Sequence, residues 1–193
     1  MKNLYAELHP IPERIEGEWL YLRAVQMGDG SLVRAGVEET FAQLCQWMPW
    51  AKHMPSMAES ETFARESAAR FRSKEEFDFL LFRKSDDLYL GNMGIHTIDW
   101  DVPRFEIGYW LRASQQGQGY ATEGVRMICK QLFQGQKAER IEIRCDDLNL
   151  HSAAVAERAG FTLEAILKNH ARNNEGGLRS TRVYVLFPEV SEA

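Results

Sequence analysis

No apolar run approaches the ~18 residues that a membrane-spanning helix requires, so insertion into a membrane is not expected. The first twenty residues include Glu7, Pro10, Pro12, Glu13 and Glu16, and they contain no apolar core of a signal peptide. Cysteine is scarce. Cys45, Cys129 and Cys145 are odd in number and widely spaced, which excludes a disulfide framework and gives no zinc motif. The five histidines, His9, His53, His96, His151 and His170, have no metal-ligand spacing either, so no metal is expected. Positive charge is in deficit. Lys and Arg number 23 against 28 Asp and Glu, a formal net charge of −5, which disfavours general affinity for nucleic acid. Repeats, low-complexity tracts and composition breaks are also missing. The expectation is a reduced, cytoplasmic chain forming one domain over residues 1–193, with 1–15 as a Pro-containing lead-in.

What is present is an ordinary globular composition, 45% hydrophobic and 26% charged, in 193 residues, enough to bury a core without staples. Trp19 to Arg23 reads as a strand. Helical spacing runs through Leu32, Val33, Val37, Phe41 and Leu44 and stops at Pro49. A second helix is expected over 60–71, then strands over 77–83, 88–98 and 105–111. A helix over 120–133, a strand over 140–145, a short helix over 152–159 and two last strands around a polar loop at 173–177 complete the chain. Three successive strands followed by alternation imply an α/β fold with a mixed sheet, part antiparallel and part parallel.

The most informative segment is Gln116, Gly117, Gln118, Gly119, Tyr120, Ala121 and Thr122. It follows a strand and opens a helix whose apolar positions, Ala121, Val125, Ile128, Cys129, Leu132 and Phe133, share one face. Glycines permit a tight turn and a close approach to the backbone. The first amides of a helix are unpaired, and its dipole draws an anion to them, so a pyrophosphate fits there. A flexible turn with no ligand is the plain alternative. A dinucleotide fold expects Gly-x-Gly-x-x-Gly early in the chain, whereas this motif comes late and Gly124 breaks the spacing. No Gly-Lys-Ser/Thr follows, which excludes a Walker loop.

Gln116-x-x-Gly119-x-Ala121 resembles the coenzyme A pyrophosphate signature of the GNAT acetyltransferases, Gln/Arg-x-x-Gly-x-Gly/Ala. The strand Glu106-Ile107-Gly108-Tyr109-Trp110-Leu111 is similar to the matching strand of the RimJ/RimL branch, the ribosomal-protein N-terminal acetyltransferases. Asn149-Leu150-His151-Ser152, Glu157-Arg158-Ala159-Gly160-Phe161 and Trp47-Met48-Pro49-Trp50 also match that branch, and the resemblance extends over about 15–187. It implies the GNAT fold, with about seven strands and helices on both faces. It further implies acetyl transfer from acetyl-coenzyme A to an amine by direct attack in a ternary complex, with no metal.

By the same resemblance the pantetheine arm lies between two splayed strands, bonded to backbone near Trp110, Leu111 and Arg112. Asn149 would meet a pantetheine amide, and Ser152 would protonate the leaving sulfur. Read from the residues alone, both suit the cap and first turn of a helix. Glu106 matches the base glutamate in part of the superfamily, and His96, a residue type that exchanges protons near neutral pH, lies on the adjacent strand. Arg158 and Arg126 are candidates for the cofactor phosphates. Trp47 and Trp50, near His53, are candidates for an acceptor-pocket wall, and Tyr184 reads as a core aromatic. One departure stands out. The ribosomal-protein enzymes carry a glutamate just after Trp-Leu, where this chain has Ala113.

The acceptor stays open between a protein N-terminal amine and a small-molecule amine such as a polyamine, an amino-acid-like toxin or an aminoglycoside. A succinyl donor and a non-catalytic coenzyme A sensor are the further alternatives. A homodimer is common in the branch that this chain resembles.

Overall fold

The structure is a computed structural model and describes residues 9–188. Eight strands form one sheet in the order β1-β2-β3-β4-β5-β6-β8-β7. They are β1 Arg14–Glu16, β2 Leu20–Ala24, β3 Phe77–Arg83, β4 Leu88–Asp99, β5 Arg104–Leu111, β6 Arg140–Asp146, β7 Thr162–Arg172 and β8 Leu178–Leu186. The helices are α1 Gly30–Trp47, α2 Met57–Ser73, α3 Tyr120–Gly135 and α4 Leu150–Arg158.

Sequence periodicity accounts for most of these elements. Buried Val33, Val37, Thr40 and Leu44 recur at three and four residues along α1, which gives it one inward face. The helix stops at Met48 because Pro49 disfavours helical backbone before it and has no N–H to continue the ladder. Helix α2 begins at Met57, three residues before the expected position, because Ser56 and Glu59 form a reciprocal capping box. In α3, Val125, Ile128 and Leu132 are fully buried, and each contributes roughly 1.5–3 kcal/mol of burial.

The added strand, β1, starts inside the lead-in. Ile11 and Ile15 are buried, and the side chain of Gln136 donates to the Pro10 carbonyl at 2.9 Å. The described part of the lead-in therefore belongs to the core and is no detached arm.

Each sheet face has its own core. Phe79, Met93, Ile107, Ile128, Ile143 and Tyr184 belong to the cluster on the α3 and α4 side. Tyr21, Val33, Val37, Leu80 and Tyr89 form the other, beneath α1 and α2. Every neighbouring pair is antiparallel except β5 and β6, whose register covers only Arg104↔Arg140, Phe105↔Ile141 and Glu106↔Glu142. Beyond Glu106 the two strands have no register partners, and the sheet opens at its middle.

Candidate active site

The opening between β5 and β6 leads into a cleft of about 800 Å³. Its lining includes Trp47, Trp50, His96, Glu106, Asn149 and Ser152, residues brought together from four elements and two connecting segments. The backbone edge that faces the opening follows from hydrogen-bond alternation. Arg112 N donates to Leu90 O at 2.8 Å, so Arg112 and, two residues earlier, Trp110 direct their peptide groups toward β4. Tyr109 and Leu111 direct theirs into the opening. Of the three residues expected to offer backbone to the pantetheine arm, Leu111 turns its N–H to the opening. Trp110 and Arg112 give their amides to the antiparallel ladder with β4. The Trp110 ring packs edge-on against Tyr89, and the Arg112 guanidinium donates to Glu39 at 2.7 Å.

At the end of β5 the chain enters the glycine turn. Gly117 and Gly119 have φ of 75° and 84°, the left-handed region that glycine adopts without strain. A Cβ at either position would meet nothing within 4 Å. The space over the turn is open, as an anion cradle requires. Glu123 N is the first amide bonded into the helix, to Gly119 O, so the amides of Tyr120, Ala121 and Thr122 face outward from the first turn. Thr122 Oγ1 is buried and without a hydrogen-bond partner, an orphaned hydroxyl beside the cradle. The turn is braced against α1. Ala113 N donates to Thr40 Oγ1 at 3.0 Å and Ser114 N to Glu39 Oε1 at 2.8 Å. Gln116 Nε2 donates to Gln43 Oε1 at 2.7 Å and to Leu111 O at 3.1 Å, so its side chain supports the loop. Burial opposes ionisation of Glu39, but the bonds from Ser114 and Arg112 outweigh it and hold the carboxyl below its usual range. The Tyr120 hydroxyl accepts from Arg83 at 3.1 Å.

On the α4 side, Asn149 Oδ1 accepts from Ser152 N at 3.1 Å and caps the helix. Ser152 Oγ lies 3.0 Å from the Tyr109 hydroxyl, which also donates to Ser152 O at 3.1 Å. Burial pushes the Tyr109 phenol well above its usual value, which keeps it neutral. Cys145 lines the same cleft, and burial pushes its thiol up as well, so it offers no ready thiolate.

On the α1 and α2 side, Glu106 is flanked by His96, with Nδ1 to Oε1 at 3.9 Å, and Arg144, with Nε to Oε2 at 3.6 Å.

The model of the acetyltransferase (GNAT) domain matches residues 20–162. The chain belongs to the GNAT acetyltransferase family. The probable N-acetyltransferase YjcK of Bacillus subtilis (strain 168) is 34% identical over 106 residues, spanning 54% of this chain and 59% of that protein. The ribosomal-protein-serine acetyltransferase of Escherichia coli (strain K12) is 28% identical over 138 residues, 68% of this chain and 76% of that one. RimL, the ribosomal L7/L12 α-N-protein acetyltransferase solved in complex with coenzyme A, superposes with a TM-score of 0.86. That superposition covers 93% of this chain and 100% of RimL at 24% identity, a likeness of fold.

The remaining candidates of this GNAT domain divide clearly. Trp47 and half-exposed Trp50 stand on the cleft wall. Tyr184 is fully buried, with its hydroxyl donating to Glu157 at 2.9 Å, a core aromatic. Arg126 donates to the Arg158 carbonyl at the end of α4, and the Arg158 side chain is exposed there. Asn174 was not singled out from sequence. Its Nδ2 donates to Cys45 O at 2.8 Å and Met48 O at 2.9 Å, tying the β7–β8 turn to the end of α1. Next to this tie is a second cavity of about 380 Å³, and Trp47, Asp146 and Arg179 line both spaces. Tyr109, Glu39 and Thr40 were missed too; strand alternation was the signal for Tyr109, while the α1 brace gave none. Among the described residues no helix is long and apolar enough to cross a membrane.

Proposed function

We propose that this GNAT domain transfers an acetyl group from acetyl-coenzyme A to a primary amine, by direct attack while both substrates are bound. The observation that carries the reading is the three-residue pairing of β5 with β6, with the Tyr109 peptide groups and the Leu111 N–H turned to the opening and the glycine cradle at its end. The orphaned Thr122 hydroxyl and the unpaired first-turn amides of α3 fit a pyrophosphate. Acetyl-coenzyme A supplies the acetyl thioester.

The chain's own residues divide the work between the two faces of the sheet. Ser152 lies on the α4 side and gives a proton to the departing sulfur. Tyr109 holds the Ser152 hydroxyl, and Asn149 fixes the turn that carries it. A backbone N–H of β5 donates to the oxyanion that develops. On the other side His96 takes the proton that the nitrogen gives up after the neutral amine has attacked, and the Glu106 carboxylate, 3.9 Å from Nδ1, favours the imidazolium that forms. The new C–N bond forms as the C–S bond breaks, with one proton lost from nitrogen and one gained by sulfur. A polypeptide α-amine is the favoured acceptor, because an α-amine has a pKa of ~8 and keeps a useful neutral fraction. The activity named for the Escherichia coli relative agrees with it. We place this chemistry in the cytoplasm.

Calorimetry with coenzyme A, followed by thiol release from acetyl-coenzyme A across N-terminal peptides, polyamines and aminoglycosides, tests the proposal. Binding together with amine-dependent thiol release is expected. Failure of coenzyme A to bind would sink it.

A further inference from the structure

On the α1 and α2 face, three register partners make a row across the sheet toward the opening. They are Asp78 of β3, Gly94 of β4 and Gly108 of β5. The two central positions have no side chain, and two neighbours use that room: the His96 imidazole lies over Gly108 and Asp78 Oδ1 lies over Gly94. Alternation places Asn92 and Trp110 on one side of this row and His96 and Glu106 on the other, all in the same cleft. The result is a slot two strands wide, roughly 10 Å long, running from Asp78 to the edge of β5.

Both glycines are required by what stands beside them. A Cβ at Gly108 would lie 2.7 Å from His96 Nε2, so the imidazole rests on the strand only because position 108 is bare. A Cβ at Gly94 would lie 3.2 Å from Asp78 Oδ1. The other oxygen of Asp78 accepts from Ser67 Oγ at 2.6 Å and from Arg70 at 3.3 Å. The carboxylate is thereby fixed, with Oδ1 turned over the Gly94 floor.

We propose that this slot is the acceptor subsite and that Asp78 Oδ1 reads a second donor on the acceptor. It takes a primary amine against His96 Nε2, which lies over Gly108, with a further N–H or O–H about one strand spacing, roughly 5 Å, away toward Asp78 Oδ1. Three or four carbons between two nitrogens meet that spacing, and so does a donor carried by the first residues of a peptide. The inference rests on the acetyl-transfer reading above and adds the chemistry of its acceptor. Walls set by Trp110 and His96 admit an unbranched chain and exclude a bulky first residue.

The test compares 1,4-diaminobutane with n-butylamine, and a peptide beginning with serine with one beginning with valine, by thiol release in wild type, Asp78→Ala and Asp78→Asn. In wild type each donor-bearing or slim acceptor is expected to have kcat/KM at least tenfold above its counterpart. Asp78→Ala should bring the diamine-to-monoamine ratio to near one with the KM for acetyl-coenzyme A unchanged. Asp78→Asn should lose the preference for an ammonium donor and keep part of that for a neutral one, which tells the diamine from the peptide as the source of the chemistry. Gly108→Ala, which displaces the His96 imidazole, should lower kcat, raise the acceptor KM and spare coenzyme A binding by calorimetry. A preference that survives in Asp78→Ala, or none in wild type, overturns the subsite. Absence of coenzyme A binding in wild type overturns the acetyl-transfer reading as well, and calorimetry separates the two failures.

Discussion

The Tyr109 hydroxyl is shared between the Oγ and the backbone oxygen of Ser152, at 3.0 and 3.1 Å. A phenol has one proton. Given to the carbonyl, it leaves the phenol oxygen to accept from Ser152; turned to Oγ, it frees the serine proton to leave. Because burial keeps Tyr109 neutral, the pair can switch between these states without creating a charge. Ser152→Ala is expected to lower kcat by about 100-fold, the low end for loss of a positioned acid. Tyr109→Phe, which removes about 1 kcal/mol of hydrogen bonding, should lower kcat roughly fivefold. Coenzyme A affinity by calorimetry should stay within about threefold of wild type in both. Weakened binding with unchanged kcat would reduce Ser152 to a helix residue.

The cradle makes a different prediction. Gly119 has φ of 84° and open space over its Cα, so Gly119→Ala costs backbone strain of about 1 kcal/mol and little else. That corresponds to roughly 2–4 °C in Tm. Gly119→Trp fills the space that the phosphates need. Circular dichroism should report a native fold, and calorimetry should detect no coenzyme A binding. Unchanged affinity would move the cofactor elsewhere.

Glu142 is buried between Arg140 and Arg144 at the last register pair of β5 and β6. Burial opposes its ionisation, but the two arginine bonds outweigh it, and its carboxyl is held below the usual value. A depressed folded pKa stabilises the fold above the unfolded value, and that contribution is lost as pH falls through the folded one. Glu142→Gln should therefore cost about 3 kcal/mol at pH 7. The gap from wild type should narrow progressively below about pH 4. Urea titrations at several pH values measure it, and a gap independent of pH would refute the ionic origin.

Asn174 gives the fourth prediction. Its two bonds hold the β7–β8 turn over the end of α1, beside Trp47. Asn174→Ala removes roughly 2 kcal/mol of local hydrogen bonding. The acceptor KM should rise several-fold, the KM for acetyl-coenzyme A should hold, and limited proteolysis near Arg172 should accelerate. An effect on acetyl-coenzyme A alone would place the turn on the other side of the reaction.

The glycine turn was legible because its requirement is local, with a positive φ and an open helix start written in neighbouring residues. Helix faces and seven strands were legible for the same reason. The capping box of Ser56 and Glu59 could have corrected the start of α2, but three-residue β1 exists only through its pairing with β2. Which of Trp110, Leu111 and Arg112 turns its peptide group to the opening was not legible, because that direction depends on which neighbour an alternating strand has on each side. Asp78, Gly94 and Gly108 lie on three strands, and two of them carry no side chain to signal a role. Their meaning appears only when the register aligns them.

A sheet that loses its ladder after Glu106 is two half-sheets joined by a short hinge of hydrogen bonds and by the helices that bridge them. The acyl donor would serve as a stitch between the halves, supplying partners for the peptide groups of Tyr109 and the N–H of Leu111. Amide exchange at those two residues should then slow sharply when donor is present, and the wall against which the amine docks would be finished only after that. Initial-rate kinetics should then show ordered binding, donor first.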